Sequence, residues 1–247
     1  INTYEKSSIF NTGHHLLSRV YIFFYTHELT FYMLHKKLCL SVLAILFVCN
    51  TYAGNRIKAY FNHPVDNSVS TGVNAVYLNS CMADTLVAYI NRSIYTLDIA
   101  VYSYTQGSYA NIATAVNSAY SRGVRVRWIY DSSMSNTGLA LLNPAINKLS
   151  HPTTTGIMHC KFVIVDGRSS NPNDAFVWTG SPNWTTNNFN SDFNNVVIIQ
   201  DSGLAHAYLG EFNHMWGDTG LVPNVALAKF GPAKSDLGRH LFTLDGN

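Results

Sequence analysis

After residue 54 the chain alternates short β-rich apolar runs with segments whose apolar residues recur at helical spacing. That order predicts a sheet covered by helices, an α/β sandwich, rather than a helical bundle or an all-β barrel. Residues 75–78 read as a first strand. Met82, Leu86, Val87 and Ile90 then fall on one helical stripe, which predicts an amphipathic helix over 82–92. A strand over 97–102 follows. Ile112, Ala115, Val116 and Ala119 share one face of a helix over 109–122, and Gly123 is placed to close it in the left-handed conformation before a strand over 124–130. This is a β-α-β unit. Further on, 132–138 reads as a polar break, 139–149 as a short helix, 150–156 as a Pro-Thr loop and 157–165 as an apolar strand. Val177 and 196–199 supply more strands, separated by an Asn-, Ser- and Thr-rich stretch that reads as loop. Residues 204–216 close the pattern as a helix.

With 47% hydrophobic and 12% charged residues in 247, the chain can bury a large core, so disorder is excluded as its main state. The net charge is +2, and the charges beyond residue 54 balance. Such a body lacks the broad basic surface that grips nucleic acid non-specifically, although a local basic site escapes this average. Cys81 and Cys160 are the cysteines beyond the leader, and whether they pair is left open because spacing alone does not bring two Cβ atoms together.

The front of the chain has a different character. From Met33, a basic start with Lys36 and Lys37 leads into an apolar run over 38–48, then to small residues at Thr51 and Ala53. Residues 33–53 therefore read as a signal peptide, which predicts export to a secreted or periplasmic location. Residues 1–32 begin with Ile and show no helical or strand period, and are read as non-native or untranslated leader. The catalytic domain is expected over 54–216. Residues 217–247, punctuated by Gly and Pro, read as a linker or tail that could lead to a second half.

The chemistry concentrates in two short stretches. Strand alternation through 157–166 sets His159, Lys161, Val163 and Val165 on one side and Cys160, Phe162 and Ile164 on the other. An ammonium beside an imidazole disfavours protonation of the ring, and the neutral ring is the nucleophilic state. Fourteen residues beyond Asp166, the turn Gly180-Ser181-Pro182-Asn183 offers a hydroxyl, an amide and backbone N–H groups. Donors of this kind, with one ammonium, suit the oxyanions of a pentacovalent phosphorus transition state, and no set of metal ligands stands nearby in the sequence. Metal-free catalysis with no cofactor is the expectation.

His159-x-Lys161 with four residues to Asp166, followed by Gly180-Ser181-x-Asn183, resembles the signature of the phospholipase D superfamily, over about 75–216. The resemblance implies a phospholipase D-like half-domain, a mixed β-sheet flanked by helices. It also implies phosphodiester cleavage of a phospholipid or a nucleic acid through a phosphohistidine on His159. Lys161 and Asn183 would hold the non-bridging oxygens, Ser181 would brace the site, and Asp166 would order the turn behind the motif. An acidic residue downstream orients the histidine in that family; Asp192 is the candidate here, with Asn194 or Asn195 as substitutes. The family sets two such motifs around one site, and this chain carries one, since His35-Lys36-Lys37 has Val42 where the aspartate belongs. Either a homodimer or a second half-site beyond residue 247 would complete it. A silent phosphate-binding module and a synthase-type phosphatidyl transferase are the alternatives.

Two further patterns are weighed as structural. Trp178 and Trp184 flank the turn and read as packing, and Glu211 with His214 reads as a solvated helix face rather than a metal pair. Arg122, Arg125 and Arg127 read either as a phosphate groove or as the edge of the sheet.

Overall fold

The computed structural model describes residues 56–230, apart from 73, 106, 108, 109 and 153–155, so the leader and signal-peptide readings lie outside the described residues. Within them one eight-stranded sheet runs in the order β2-β1-β8-β7-β6-β3-β4-β5. The strands are β1 (Ile57–Phe61), β2 (Val76–Tyr77), β3 (Thr96–Val101), β4 (Arg125–Asp131), β5 (Asn147–His151), β6 (Lys161–Val165), β7 (Phe176–Gly180) and β8 (Asn195–Ile199). β3, β4 and β5 are parallel, β6 is antiparallel to both β3 and β7, and β8 is antiparallel to β7 and β1. The sheet is mixed, as the α/β reading requires.

Helices cover both faces. On one side α1 (Met82–Ile90) and α2 (Ala110–Ser121) bury Met82, Leu86, Ile90, Ile112, Val116 and Ala119 against Leu97, Ile99, Val101, Val163 and Val165. On the other, α4 (Ser202–Trp216) lays Ala205, Leu209, Phe212 and Trp216 over Ala100, Ile129, Phe162, Ile164 and Val177. Every residue of β3 is buried, the expected state of a central strand with both faces covered. None of the described helices is long and apolar enough to cross a membrane.

The helices predicted over 82–92, 109–122 and 204–216 hold, and so does the turn after α2: Gly123 has φ +90°, a conformation that costs other residues more. Four elements differ. β1 was not singled out from the sequence, because Lys58 and Tyr60 dilute its alternation and its partner β8 lies far along the chain. The expected first strand shrinks to two exposed residues at the sheet edge. The short helix expected over 139–149 is instead a 3-10 turn, Thr137–Leu141, followed by β5. Pro144 disfavours the helical conformation at Asn143, and the Asn117 amide holds the turn by accepting from Asn143 N at 2.7 Å and donating to Leu141 O at 2.9 Å. The stretch read as loop between β7 and β8 contains a helical turn, α3 (Thr186–Asn190), started by Thr185, whose hydroxyl accepts from Asn188 N.

Beyond α4, Gly217 takes φ +76° and the chain turns back onto the body. Arg127 donates to Gly220 O at 3.1 Å, Arg168 donates to Thr219 O at 3.0 Å, and Phe230 meets His151 edge-on at 4.6 Å. Arg127 also makes a buried cross-strand ion pair, its Nε 2.5 Å from Asp98 Oδ1, with the guanidinium 4.6 Å from the centre of the Phe212 ring. It therefore belongs to the core and not to a surface groove, while Arg122 is spent on the carbonyls of Asn91 and Ser93.

Asp166, just past β6, has φ +49° and a carboxylate that accepts from three consecutive backbone N–H groups, Ile94 at 3.0 Å, Tyr95 at 2.7 Å and Thr96 at 2.8 Å. Its own N–H donates to Thr96 O at 2.9 Å. Asp166→Ala should lower unfolding free energy by about 3 kcal/mol, because buried donors lose a charged acceptor. Asp166→Asn should cost less, and urea melts of the two variants check the order. Asp98→Ala should cost about 3 to 5 kcal/mol by leaving the Arg127 charge buried and unpaired. The Asp98→Ala, Arg127→Met double variant should recover much of that loss.

Candidate active site

The antiparallel order of β6 between β3 and β7 sets three chain ends side by side: the start of β6, the end of β3 and the end of β7. His159 stands just before β6, and Lys161 is its first residue. Strand alternation holds from Lys161 onward, but the strand begins four residues later than expected. The chain at 157–160 leaves the regular ladder because Met158 N donates to Asp131 Oδ2 at 2.7 Å, while Cys160 O still accepts from Tyr102 N at 2.9 Å. These two bonds grip the backbone on either side of His159.

The His159 ring is exposed on one side and packs edge-on against Tyr102, centroids 4.7 Å apart. Partial burial and the nearby Lys161 ammonium lower its pKa below the usual histidine range, while Asp131 acts in the opposite sense. The ring is thus kept neutral near pH 7, as the sequence reading anticipates. Lys161 is only 6% exposed, donates from Nζ to His159 O at 3.0 Å and lies 5.1 Å from the Tyr102 ring centre. Burial pulls its pKa below the usual lysine range.

The β6–β7 pairing runs as far as Phe162 opposite Thr179, so Ser181 follows the end of β7 on the side where β6 begins. Gly180 permits the close approach of β8, since a Cβ there would lie 2.2 Å from Asn195 O. Ser181 N donates to Asn195 O at 3.0 Å, and Ser181 Oγ donates to Asn194 Oδ1 at 2.7 Å while accepting from Asn195 N at 3.1 Å. Asn183 is fixed through its backbone N–H, which donates to Asn188 Oδ1 at 2.7 Å. Its side-chain Oδ1 is buried and takes no hydrogen bond from the described residues. Trp178 and Trp184 are fully buried, so both are packing.

His159, Lys161, Ser181 and Asn183 therefore share one end of the sheet. Asp166 lies at the other end of β6, roughly 20 Å away along a strand at about 3.3 Å per residue. Asp192 is on the site's side of the sheet, but its carboxylate accepts from Asn188 Nδ2 at 2.7 Å, and no described hydrogen bond links it to His159. Asn194 is committed to Ser181 and to Asn188 O.

Two polar groups were missed from the sequence. Asn62, at the end of β1, donates to Asn188 O, Phe189 O and Asp192 O and accepts from Asn194 N, knitting together the turn that carries Ser181's partners. Asp131 ends β4 and pairs with His151, and a lone Asp after an apolar strand carries no pattern that would flag it. Cys81 and Cys160 are both free thiols, Cys160 with its pKa pushed up to about 11 by burial. Among the described residues no group of three His, Cys, Asp or Glu could hold a metal ion.

Residues 86–216 match the family described as cardiolipin synthase, PLD-like domain. Among curated proteins, the chain is 29% identical over 147 residues to the mitochondrial cardiolipin hydrolase of Drosophila melanogaster, covering 53% of this chain and 57% of that protein. It is 33% identical over 134 residues to the Xenopus tropicalis protein of the same name, covering 53% and 59%. The chain thus spans little more than half the length of these relatives. Among solved structures, the phospholipase D family member Nuc from Salmonella typhimurium aligns with a TM-score of 0.48 at 20% identity, covering 66% of this chain and 94% of that one. The relatives overturn one expectation, that residues 33–53 send the protein to a secreted or periplasmic location, because they are named as mitochondrial. A lysine pair ahead of a short apolar run describes how a segment meets a membrane, but its charge and hydropathy do not say which membrane. With more than half of its length matched by the family profile, and with His159, Lys161, Ser181 and Asn183 gathered at one end of a mixed sheet, the chain belongs to the PLD-like domain family.

Proposed function

We propose that this chain is a phosphodiesterase that hydrolyses phospholipid phosphodiester bonds through a phosphohistidine, with cardiolipin as the preferred substrate. The observation that carries the reading is the partly exposed imidazole of His159, kept neutral beside a buried ammonium and facing the strand end that bears Ser181 and Asn183. His159 attacks phosphorus, and the P–O bond to the departing alcohol breaks. Lys161 and the Asn183 amide neutralise the non-bridging oxygens, where charge grows most. A second histidine gives its proton to the leaving oxygen, then takes one from the water that cleaves the P–N bond and regenerates His159. That second histidine comes from another copy of the chain across a twofold axis. The nearly neutral body and the names of the relatives favour a lipid over a nucleic acid, and the same names support a mitochondrial location.

The reading is tested with cardiolipin vesicles and single-stranded DNA, each with EDTA present. Release of phosphatidic acid, undiminished by chelator, is the expected result; nuclease activity alone would move the substrate to nucleic acid, and chelator-sensitive turnover would contradict the direct role of Lys161. His159→Asn should abolish both turnover and a trapped phosphoenzyme. Wild-type turnover in that variant would end the proposal, while binding without turnover in the parent chain would leave a phosphate-binding module. Products carrying an added alcohol in place of water would identify a transferase.

The pH profile has a worked sign. Activity should rise as the attacking His159 loses its proton, so the acid limb should lie below the usual histidine value, and it should fall again once the second histidine no longer holds the proton it gives to the leaving oxygen. Light scattering during size-exclusion chromatography should place activity in a dimer peak, and activity confined to a monomer would remove the twofold site.

A further inference from the structure

β5 ends at His151, and Met158, the residue before His159, is held by its backbone N–H. Both points are tied to one carboxylate. Asp131, the last residue of β4, is fully buried and is the cross-strand neighbour of His151. Its Oδ2 lies 3.1 Å from His151 Nδ1 and accepts from Met158 N at 2.7 Å. Its Oδ1 accepts from Ser133 N at 2.8 Å and from the Ser133 hydroxyl. The His151 ring is itself backed by Phe230. Burial would raise the pKa of this carboxyl, but the Ser133 and Met158 bonds and the adjacent His151 together hold it below the usual range.

Met158 immediately precedes His159, so the Asp131 bond sets where the imidazole enters the site. The charge of the carboxylate matters as well as its bonds. The groups that act on His159 are Tyr102 at the end of β3, which its ring packs against, and the charges of Lys161 from its own strand and Asp131 from the end of β4; His151 Nδ1 lies 3.1 Å from Asp131. Cys160 points to the opposite face, toward Glu211. When His159 attacks phosphorus its ring gains positive character, which an anion nearby stabilises and an ammonium opposes. Asp192, the acid expected for this task, accepts from Asn188 through Oδ2, and no described hydrogen bond links it to His159.

We propose that Asp131, seated by His151, is the positioning residue for His159: it pins the chain at Met158 and supplies the negative charge that supports the cationic phosphohistidine. The proposal rests on the reading of His159 as nucleophile.

The test uses the full chain carrying isotope-labelled histidine, with the His159 ring titrated by NMR and steady-state kinetics measured on bis(p-nitrophenyl) phosphate. Asp131→Asn should lower the His159 pKa further and reduce kcat by about 10- to 100-fold, the loss that follows a small misplacement of a reacting group, with KM little changed. His151→Gln keeps the carboxylate and its bonds to Ser133 and Met158. It should lower kcat several-fold while leaving the His159 titration in place, and it carries the test should Asp131→Asn fail to fold. A folded Asp131→Asn chain with wild-type kcat and an unmoved His159 titration overturns the proposal, as does wild-type kcat in His151→Gln. A wild-type chain that forms no phosphoenzyme would instead sink the nucleophile reading, and the NMR titration would still report on Asp131 by itself.

Discussion

The site depends on the register between β3 and β6, and that register is held from the far end of the strand pair. The Asp166 carboxylate collects the N–H groups of Ile94, Tyr95 and Thr96 where β3 begins, and the Asp166 N–H returns a bond to Thr96. With β3 and β6 locked there, Val101 falls opposite Lys161 and Tyr102 N reaches Cys160 O. A slip of one residue would reverse every side chain of β6, turning Lys161 toward α4 and Phe162 toward α1 and α2. Asp166 thus serves the chemistry without touching it. The strong tie at one end allows the other end of β6 to leave the ladder and present an exposed ring.

The same device recurs around the site. Asp131 gathers the end of β4, the end of β5 and the return of the chain at Met158, while Asn62 gathers the turn between α3 and β8. Each of these side chains is buried, and each satisfies backbone groups of segments that lack regular partners. A loop bearing functional groups cannot pay its own ordering entropy through apolar burial. A buried polar side chain with several backbone partners fixes it instead, and charge strengthens those bonds in the two aspartates. Asn183, by contrast, is fixed through its backbone while its Oδ1 takes no bond from the described residues.

What could be read from the sequence follows from how local its cause is. α1 and α2 announce themselves by apolar residues at helical spacing, and Gly123 by the left-handed turn it permits. The motif residues were legible because His159, Lys161, Ser181 and Asn183 sit in short stretches where residue type and spacing together have few structural explanations. β1 and β5 were not legible, since a strand with mixed polarity is decided by a partner distant in the chain, β8 or β4. Asn62 and Asp131 were hidden for a related reason: their importance lies in backbone groups up to 132 positions away in sequence, and one polar residue after a strand looks the same whether it is solvated or buried. Asp192 shows the converse. Its place after the Asn183 turn suited an orienting acid, but the α3 turn that the sequence did not reveal brings Asn188 within 2.7 Å of it.

The electrostatic arrangement around His159 resolves an apparent conflict. A nucleophilic imidazole must be neutral before attack and carry positive character after it, so no single neighbouring charge suits both states. Lys161 and partial burial favour the neutral ring, and the same ammonium is free to meet phosphate oxygens once a substrate arrives. In the proposed mechanism substrate binding changes the balance: the incoming anion would offset Lys161, leaving Asp131 as the unopposed charge on the ring as the P–N bond forms. The two influences reach the imidazole from different elements, Lys161 along β6 and Asp131 from the end of β4, which is why the order of β6, β3 and β4 in the sheet is part of the chemistry and not only of the fold.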